Sequence, residues 1–374
     1  MSVESLCRFW YNTKVFKNLP PPGGKNFYRT GTYRMKILNT FAAVLFLSAA
    51  LLSGCQNAPQ GNPAAPEATG KNGITVLAIG TADSGGTMYP AGRAIAQLIN
   101  DSELKVELNV SASQGSSPNA QALGTGDIDL GLISADVAYA AVNGLENFEQ
   151  TPVKKLRAVA AIYPSLSNWM ARSSSGLVYV HDLLGKKIGV GPQDSTTELS
   201  AAYTLSSMGI TKENSSFINS GLGSGAEDVL SGKLDVIYGF AGVPINGLTE
   251  LADSAPSVLL QYTDQELSAI LEERPYYYQE IIPAGTYKDQ TKDVATFGTK
   301  CLLCVNEDMD EELVYQITSV LYEGRERLGE AHPAMQFMAE DGFMYQKLPI
   351  KLHPGALRFY QEQGLLPVEQ GTPN

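Results

Sequence analysis

Short apolar runs alternate with stretches of helical period along most of the chain. Residues 74–80 (ITVLAIG) predict a strand, followed by a glycine-rich turn and a helix from about 90 to 100. Residues 104–110 (LKVELNV) alternate apolar and polar like a strand, 118–123 carry a helical pattern, 128–133 a strand and 135–143 a helix. Further strands are expected at 158–162, 187–190, 234–240, 258–261 and 297–305, and 311–327 has the stripe of an amphipathic helix. Strands separated by helices predict an α/β architecture with mainly parallel sheets.

The pattern repeats weakly. Gly80-Thr-Ala-Asp-Ser84 ends one strand and opens a helix, and Gly191-Pro-Gln-Asp-Ser195 does the same in the second half. Gly126-Asp-Ile-Asp-Leu130 is echoed by Gly232-Lys-Leu-Asp-Val236. Two kinds of unit, in the same order twice, predict two α/β lobes of like topology.

The first 54 residues are different in kind. They carry seven basic residues and one acid, whereas the remainder carries 20 basic and 38 acidic. After Met35-Lys36 comes an apolar run, 41–52 (FAAVLFLSAALL), ending in Leu52-Ser53-Gly54-Cys55. A run of this length is short for a membrane span but suits a signal-peptide core. The small residues before Cys55 supply what a lipobox needs, which makes Cys55 the expected lipidation site. Residues 1–54 are thus expected to be a signal segment, with Met35 a more natural start than Met1. Residues 55–73, rich in Pro, Ala, Gly and Asn, are expected to tether the anchor to the body.

The whole chain, 374 residues with 44% hydrophobic content and a net charge of −12, is folded rather than disordered, and its acidity argues against nucleic acid as a partner. Beyond Cys7 and Cys55 only Cys301 and Cys304 remain. On a strand, positions three apart face opposite sides, so these two are expected to fill core rather than share a disulfide or a metal. Asp83-Ser84-Gly85-Gly86 resembles a serine-protease nucleophile motif, but no histidine precedes it. The three histidines are His181, His332 and His353. No metal motif, nucleophile elbow or phosphate loop appears, so neither catalysis nor a cofactor is expected.

The same residues suit binding better. A glycine-rich turn entering a helix offers free backbone N–H groups and a partial positive charge. Ser84, Gly85 and Gly86 present one such turn and Ser195, Thr196 and Thr197 a second. Facing each other, the two would grip a small anion without lysine or arginine.

From about residue 74 to 367 the chain resembles the TAXI-type solute receptors of tripartite ATP-independent periplasmic (TRAP) transporters. The stretches carrying the resemblance include 80–92 (GTADSGGTMYPAG), 126–144 (GDIDLGLISADVAYAAVNG), 182–197 (DLLGKKIGVGPQDSTT), 282–293 (IPAGTYKDQTKD) and 352–366 (LHPGALRFYQEQGLL). It implies a two-lobed, type II periplasmic-binding-protein-like fold with the ligand cleft between lobes. Residues 74–166 would form lobe 1 and 171–296 lobe 2, with 297–370 returning as a strand and helices packed mainly on lobe 1. It further implies a monomer at the extracytoplasmic face of a membrane, delivering a small carboxylate or amino acid of the glutamate, glutamine or 2-oxoglutarate kind to a separate permease. Expected ligand contacts are Ser84, Gly86, Tyr89, Ser117, Asn119, Ser134 and Tyr163 from lobe 1 and Ser195, Thr196 and Thr197 from lobe 2. Ala82-Asp83-Ser84 replaces a turn that is richer in Gly and Thr in the family, and the added carboxylate favours an ammonium-bearing ligand. The rival readings are a sensing lobe for a signalling partner and a hydrolase using the same cleft.

Overall fold

The computed structural model describes residues 73–274 and 276–367. The expected signal segment 1–54, the lipidation candidate Cys55 and the expected tether up to residue 72 lie outside the described residues. Among those described, no helix is long and apolar enough to cross a membrane.

The elements, in chain order, are β1 (Thr75–Gly80), α1 (Met88–Asn100), β2 (Val106–Ser111), α2 (Ser116–Thr125), β3 (Leu130–Ser134), α3 (Ala135–Asn143) and β4 (Leu156–Arg172). There follow β5 (Lys187–Gly191), α4 (Thr196–Ser207), β6 (Ser216–Asn219), α5 (Leu222–Leu230), β7 (Val236–Ala241), α6 (Asn246–Ser254), β8 (Ser257–Leu259) and α7 (Asp264–Glu273). The chain closes with β9 (Tyr278–Ile282), β10 (Val294–Asn306), α8 (Glu311–Glu323), α9 (Arg325–Ala331) and α10 (Pro354–Glu362).

The strands run in the order β2-β1-β3-β10-β4-β7-β5-β6, with β8 beside β4 and β9 beside β10. Two parallel trios, β2-β1-β3 and β7-β5-β6, flank a central antiparallel pair, β10 and β4. The sheet is therefore mixed, although each outer trio is parallel.

The cores divide along the same line. Ile162 and Tyr163 of β4 pack with β1, α1 and the C-terminal helices, whereas Trp169 and Ala171 of the same strand pack with β5, α4 and β7. On β10 the change falls between Phe297 and Cys301. These halves are the two lobes, and β4 and β10 carry the chain between them. Cys301 and Cys304, both free and fully buried, lie in different clusters on either side of β10. Burial raises the Cys301 thiol to about 12.

The sequence repeat has a shared structural cause. Asp129, just before β3, accepts the Ala78 N–H at 2.8 Å and returns its own N–H to the Ala78 carbonyl. Asp235, just before β7, makes the same reciprocal pair with Lys187. The glycines three residues earlier, Gly126 and Gly232, have φ of 80° and 78°. Each supplies the left-handed residue at the end of the preceding helix, where a Cβ is disfavoured.

One expectation needs correction. The strand predicted at 158–162 is the start of β4, which runs unbroken for 17 residues through Tyr163-Pro-Ser-Leu-Ser-Asn168. This extension carries polar residues, yet Ser165, Ser167 and Asn168 are buried. Tertiary partners make this possible. The Ser167 hydroxyl bonds the Tyr262 hydroxyl at 2.6 Å, and Asn168 accepts from the Tyr287 hydroxyl at 3.1 Å. A polar side chain satisfied in this way can stay inside a sheet. The short strands β6 and β9 were also not expected from the pattern.

Candidate functional site

Two strand-to-helix turns, one from each lobe, meet across the cleft. Gly80 ends β1 and the chain turns through Asp83–Gly86 into α1, while Gly191 ends β5 and turns through Pro192–Ser195 into α4. The cavity between them measures about 40 Å³. Lobe 1 contributes Gly86, Thr87, Ser116 and Tyr163, and lobe 2 contributes Ser195, Thr196, Thr197 and Phe240. Asp83 is the one charged residue among the described residues lining it. By comparison, an engineered apolar cavity of about 150 Å³ binds benzene. At 40 Å³ the closed cleft admits water, so a solute of amino-acid size must enter an opened form.

The helix termini are capped unequally. Ser195 caps α4: its hydroxyl accepts the Glu198 N–H at 3.2 Å and donates to the Pro192 carbonyl at 2.6 Å. No side chain caps α1 at Thr87, whose hydroxyl instead donates to the Gly242 carbonyl across the cleft. The first-turn amides of both helices have no acceptor within their own helix.

Of the buried side-chain hydroxyls without a hydrogen-bond partner among the described residues, four belong to Ser117, Ser134, Tyr163 and Thr196. Tyr163 and Thr196 line the cavity from opposite lobes, and the Tyr163 hydroxyl lies against the buried Cys301 thiol, a weak partner at best. Stranding a buried hydroxyl costs about 1–3 kcal/mol, so the Thr196 hydroxyl in the cavity wall is better satisfied by a polar guest. Burial also raises the Tyr163 hydroxyl far above its ordinary range, so it stays protonated and can donate.

The remaining expected contacts fall elsewhere. Ser84 is exposed and outside the cavity wall, because the turn points Gly86 rather than Ser84 inward. Tyr89 is half-buried on α1 and does not line the cavity. Asn119 spends its amide on the Thr81 and Leu132 carbonyls, at 2.7 and 2.9 Å, and so ties α2 to the loop after β1. Ser117 and Ser134 sit behind Ser116, whose hydroxyl accepts the Ser134 N–H at 2.9 Å. None of the three histidines touches this cavity: His332 and His353 accept the Ala334 and Gly355 amides as helix caps, and His181 pairs with Glu266 at 2.8 Å on the surface.

A residue the pattern did not single out as a bridge is Asp83. One of its oxygens accepts the Gly85 N–H at 2.7 Å, and the other accepts the Leu222 N–H at 3.1 Å. Leu222 is the first residue of α5, so a lobe-1 carboxylate sits on a lobe-2 helix N-terminus. Beside it Gly85 accepts the Gly247 N–H at 2.9 Å, and a Cβ on Gly85 would overlap the Gly223 amide. Arg274 pairs with Glu146 at 2.6 Å, and the Tyr277 hydroxyl donates to Asp136 at 2.9 Å, also between lobes. The lobes are clasped shut.

Two parallel-stranded lobes, joined by a pair of crossing strands and closing on a cleft of paired helix N-termini, constitute the type II periplasmic-binding-protein-like fold. Among solved structures the chain is similar to PhnD1 from Prochlorococcus marinus (MIT 9301) in complex with methylphosphonate. The TM-score is 0.50 at 13% identity, covering 78% of this chain and 99% of that one. It is also similar to the periplasmic aliphatic sulphonate binding protein SsuA from Escherichia coli, with a TM-score of 0.41 at 14% identity, covering 82% and 90%. The chain belongs to the NMT1-like family, which matches residues 79–364.

Proposed function

We propose that the protein is an extracytoplasmic solute receptor of the TRAP type, held at the membrane through Cys55. It closes on a small carboxylated solute and delivers it to a separate permease. The observation that supports this reading most directly is the unpartnered Thr196 hydroxyl in the wall of a cavity between two helix N-termini, with Tyr163 on the opposite wall. A carboxylate entering the opened cleft would accept from the Thr196 and Thr197 amides, the Thr196 hydroxyl and the Tyr163 hydroxyl. Among the described residues no cation lines the site, and Asp83 opposes a second negative charge nearby. A monocarboxylate head carrying an ammonium group, as in L-glutamate or L-glutamine, suits these electrostatics better than a compact diacid.

A thermal-shift panel tests the proposal. L-Glutamate or L-glutamine should raise the melting temperature, while sugars and divalent metal ions leave it unmoved. Thr196→Val and Tyr163→Phe each remove one hydroxyl at nearly constant volume, and each should weaken binding by about 1–3 kcal/mol. A ligand response untouched by both variants, or a panel with no carboxylate response, would overturn the reading. Ser195→Ala is a poorer probe, because its hydroxyl already caps α4.

A further inference from the structure

On the other side of the crossing strands lies a much larger recess, of about 760 Å³. Side chains alternate along a strand. Accordingly Tyr163 faces the cleft cavity, while its neighbour Pro164, paired with Lys300 on β10, faces this recess. The two cavities stand back to back across β4 and β10. Both lobes line the recess: α3 and the segment 337–349 from lobe 1, and Tyr276–Glu280 from lobe 2.

Its chemistry is uneven. Tyr139 and Tyr276 form one aromatic wall, with ring centroids 5.7 Å apart, and Phe337 and Phe343 form another, 5.8 Å apart. The Lys300 ammonium lies 4.7 Å from the Phe343 ring centre and donates to the Phe343 and Gln346 carbonyls at 2.8 and 2.9 Å. Those bonds use two of its three protons. Lys347 is on the same wall, and among the described residues neither lysine has an acidic partner within 4 Å. Burial, with Lys347 adding repulsion, lowers Lys300 to about 8. An anion placed here would meet Lys300's remaining proton and relieve the like-charge pair. Glu280 and Glu340 also line the recess, so a second negative charge on the guest would be opposed.

We propose that this recess is a second ligand site, separate from the cleft, which takes a planar aromatic monocarboxylate with its ring between the aromatic walls and its carboxylate at Lys300. Its volume falls within the 300–1,000 Å³ common for small-molecule sites, and aromatic walls with a few convergent polar groups are their usual lining. Because both lobes contribute, occupancy would favour one interlobe geometry over another.

The probe is 2-naphthoate, titrated into the purified full chain by fluorescence, with 2-naphthylmethanol as its uncharged counterpart. Saturable one-to-one binding is expected, with the alcohol at least about tenfold weaker. Lys300→Met should weaken 2-naphthoate about tenfold or more, the loss of one charge-assisted hydrogen bond. Lys347→Gln, an exposed change that spares the fold, should weaken it severalfold. Phe343→Ala should reduce binding of both probes. Thr196→Val, in the cleft, should leave the naphthoate titration unchanged, which separates this proposal from the one for the cleft. Absence of saturable naphthoate binding, equal binding of the alcohol, or insensitivity to both lysine variants would overturn it.

Discussion

Replacing Asp83 by alanine removes the carboxylate that holds the N-terminus of α5 from across the cleft. A hydrogen bond to a charged group contributes about 1.5–3 kcal/mol, and a carboxylate at a helix N-terminus adds about 0.3–1 kcal/mol when exposed. Asp83 is only partly buried, so solvent screens part of this. Its bond to Gly85 lies within lobe 1 and is made in the open form as well. Of its two bonds only the one to Leu222 crosses between lobes, and about 2 kcal/mol is a fair figure for it. At 1.4 kcal/mol per tenfold change, the closed-to-open ratio should fall roughly 30-fold. Small-angle scattering should report a larger radius of gyration for Asp83→Ala without ligand. Spin labels on the exposed positions Gln121 and Glu213 should report a longer interlobe distance. Asp83→Asn, which keeps an acceptor but loses the charge, should lie between. Gly85→Ala provides an uncharged control, since its Cβ would press on the Gly223 amide and open the same contact sterically. If both Asp83 variants keep the scattering profile and distance distribution of the parent while Gly85→Ala opens, the carboxylate is not the clasp and the reasoning fails.

Two further outcomes are expected. Burial lowers the imidazoles of His332 and His353 from the ordinary 6.5, and each accepts a helix-capping N–H in its neutral form. The unfolded chain therefore binds protons first as the pH falls below 6.5, so stability is full above that value and declines on acidification until the native imidazoles also titrate. His332→Asn with His353→Asn keeps both acceptors and removes the titration; melting curves between about pH 7 and 5 should flatten, and an unchanged slope would contradict this account. Separately, Cys55→Ser should move the protein from the membrane to the soluble fraction, and an unchanged partition on fractionation would reject lipid anchoring.

Much of the fold is a local property and was legible in the chain. Strand-helix alternation, the turns at Gly80 and Gly191, and the left-handed glycines Gly126 and Gly232 all follow from period, capping and left-handed backbone, which act over a few residues. The cleft turns were legible for the same reason: Thr196 and Thr197 lie at a helix start whatever surrounds them. Tertiary structure decided where partners are far apart in sequence. The β4 strand continues through Pro164–Asn168 because Tyr262 and Tyr287 satisfy the buried Ser167 and Asn168, and neither partner is near them in sequence. Asn119 became a brace because the Thr81 and Leu132 carbonyls converge on its amide. Asp83 reads locally as a turn residue, and only the docking of α5, 139 positions away, makes it a bridge between lobes. The charge, polarity and backbone preference of a residue are written at its own position, but the group that satisfies it is chosen by the path of the whole chain.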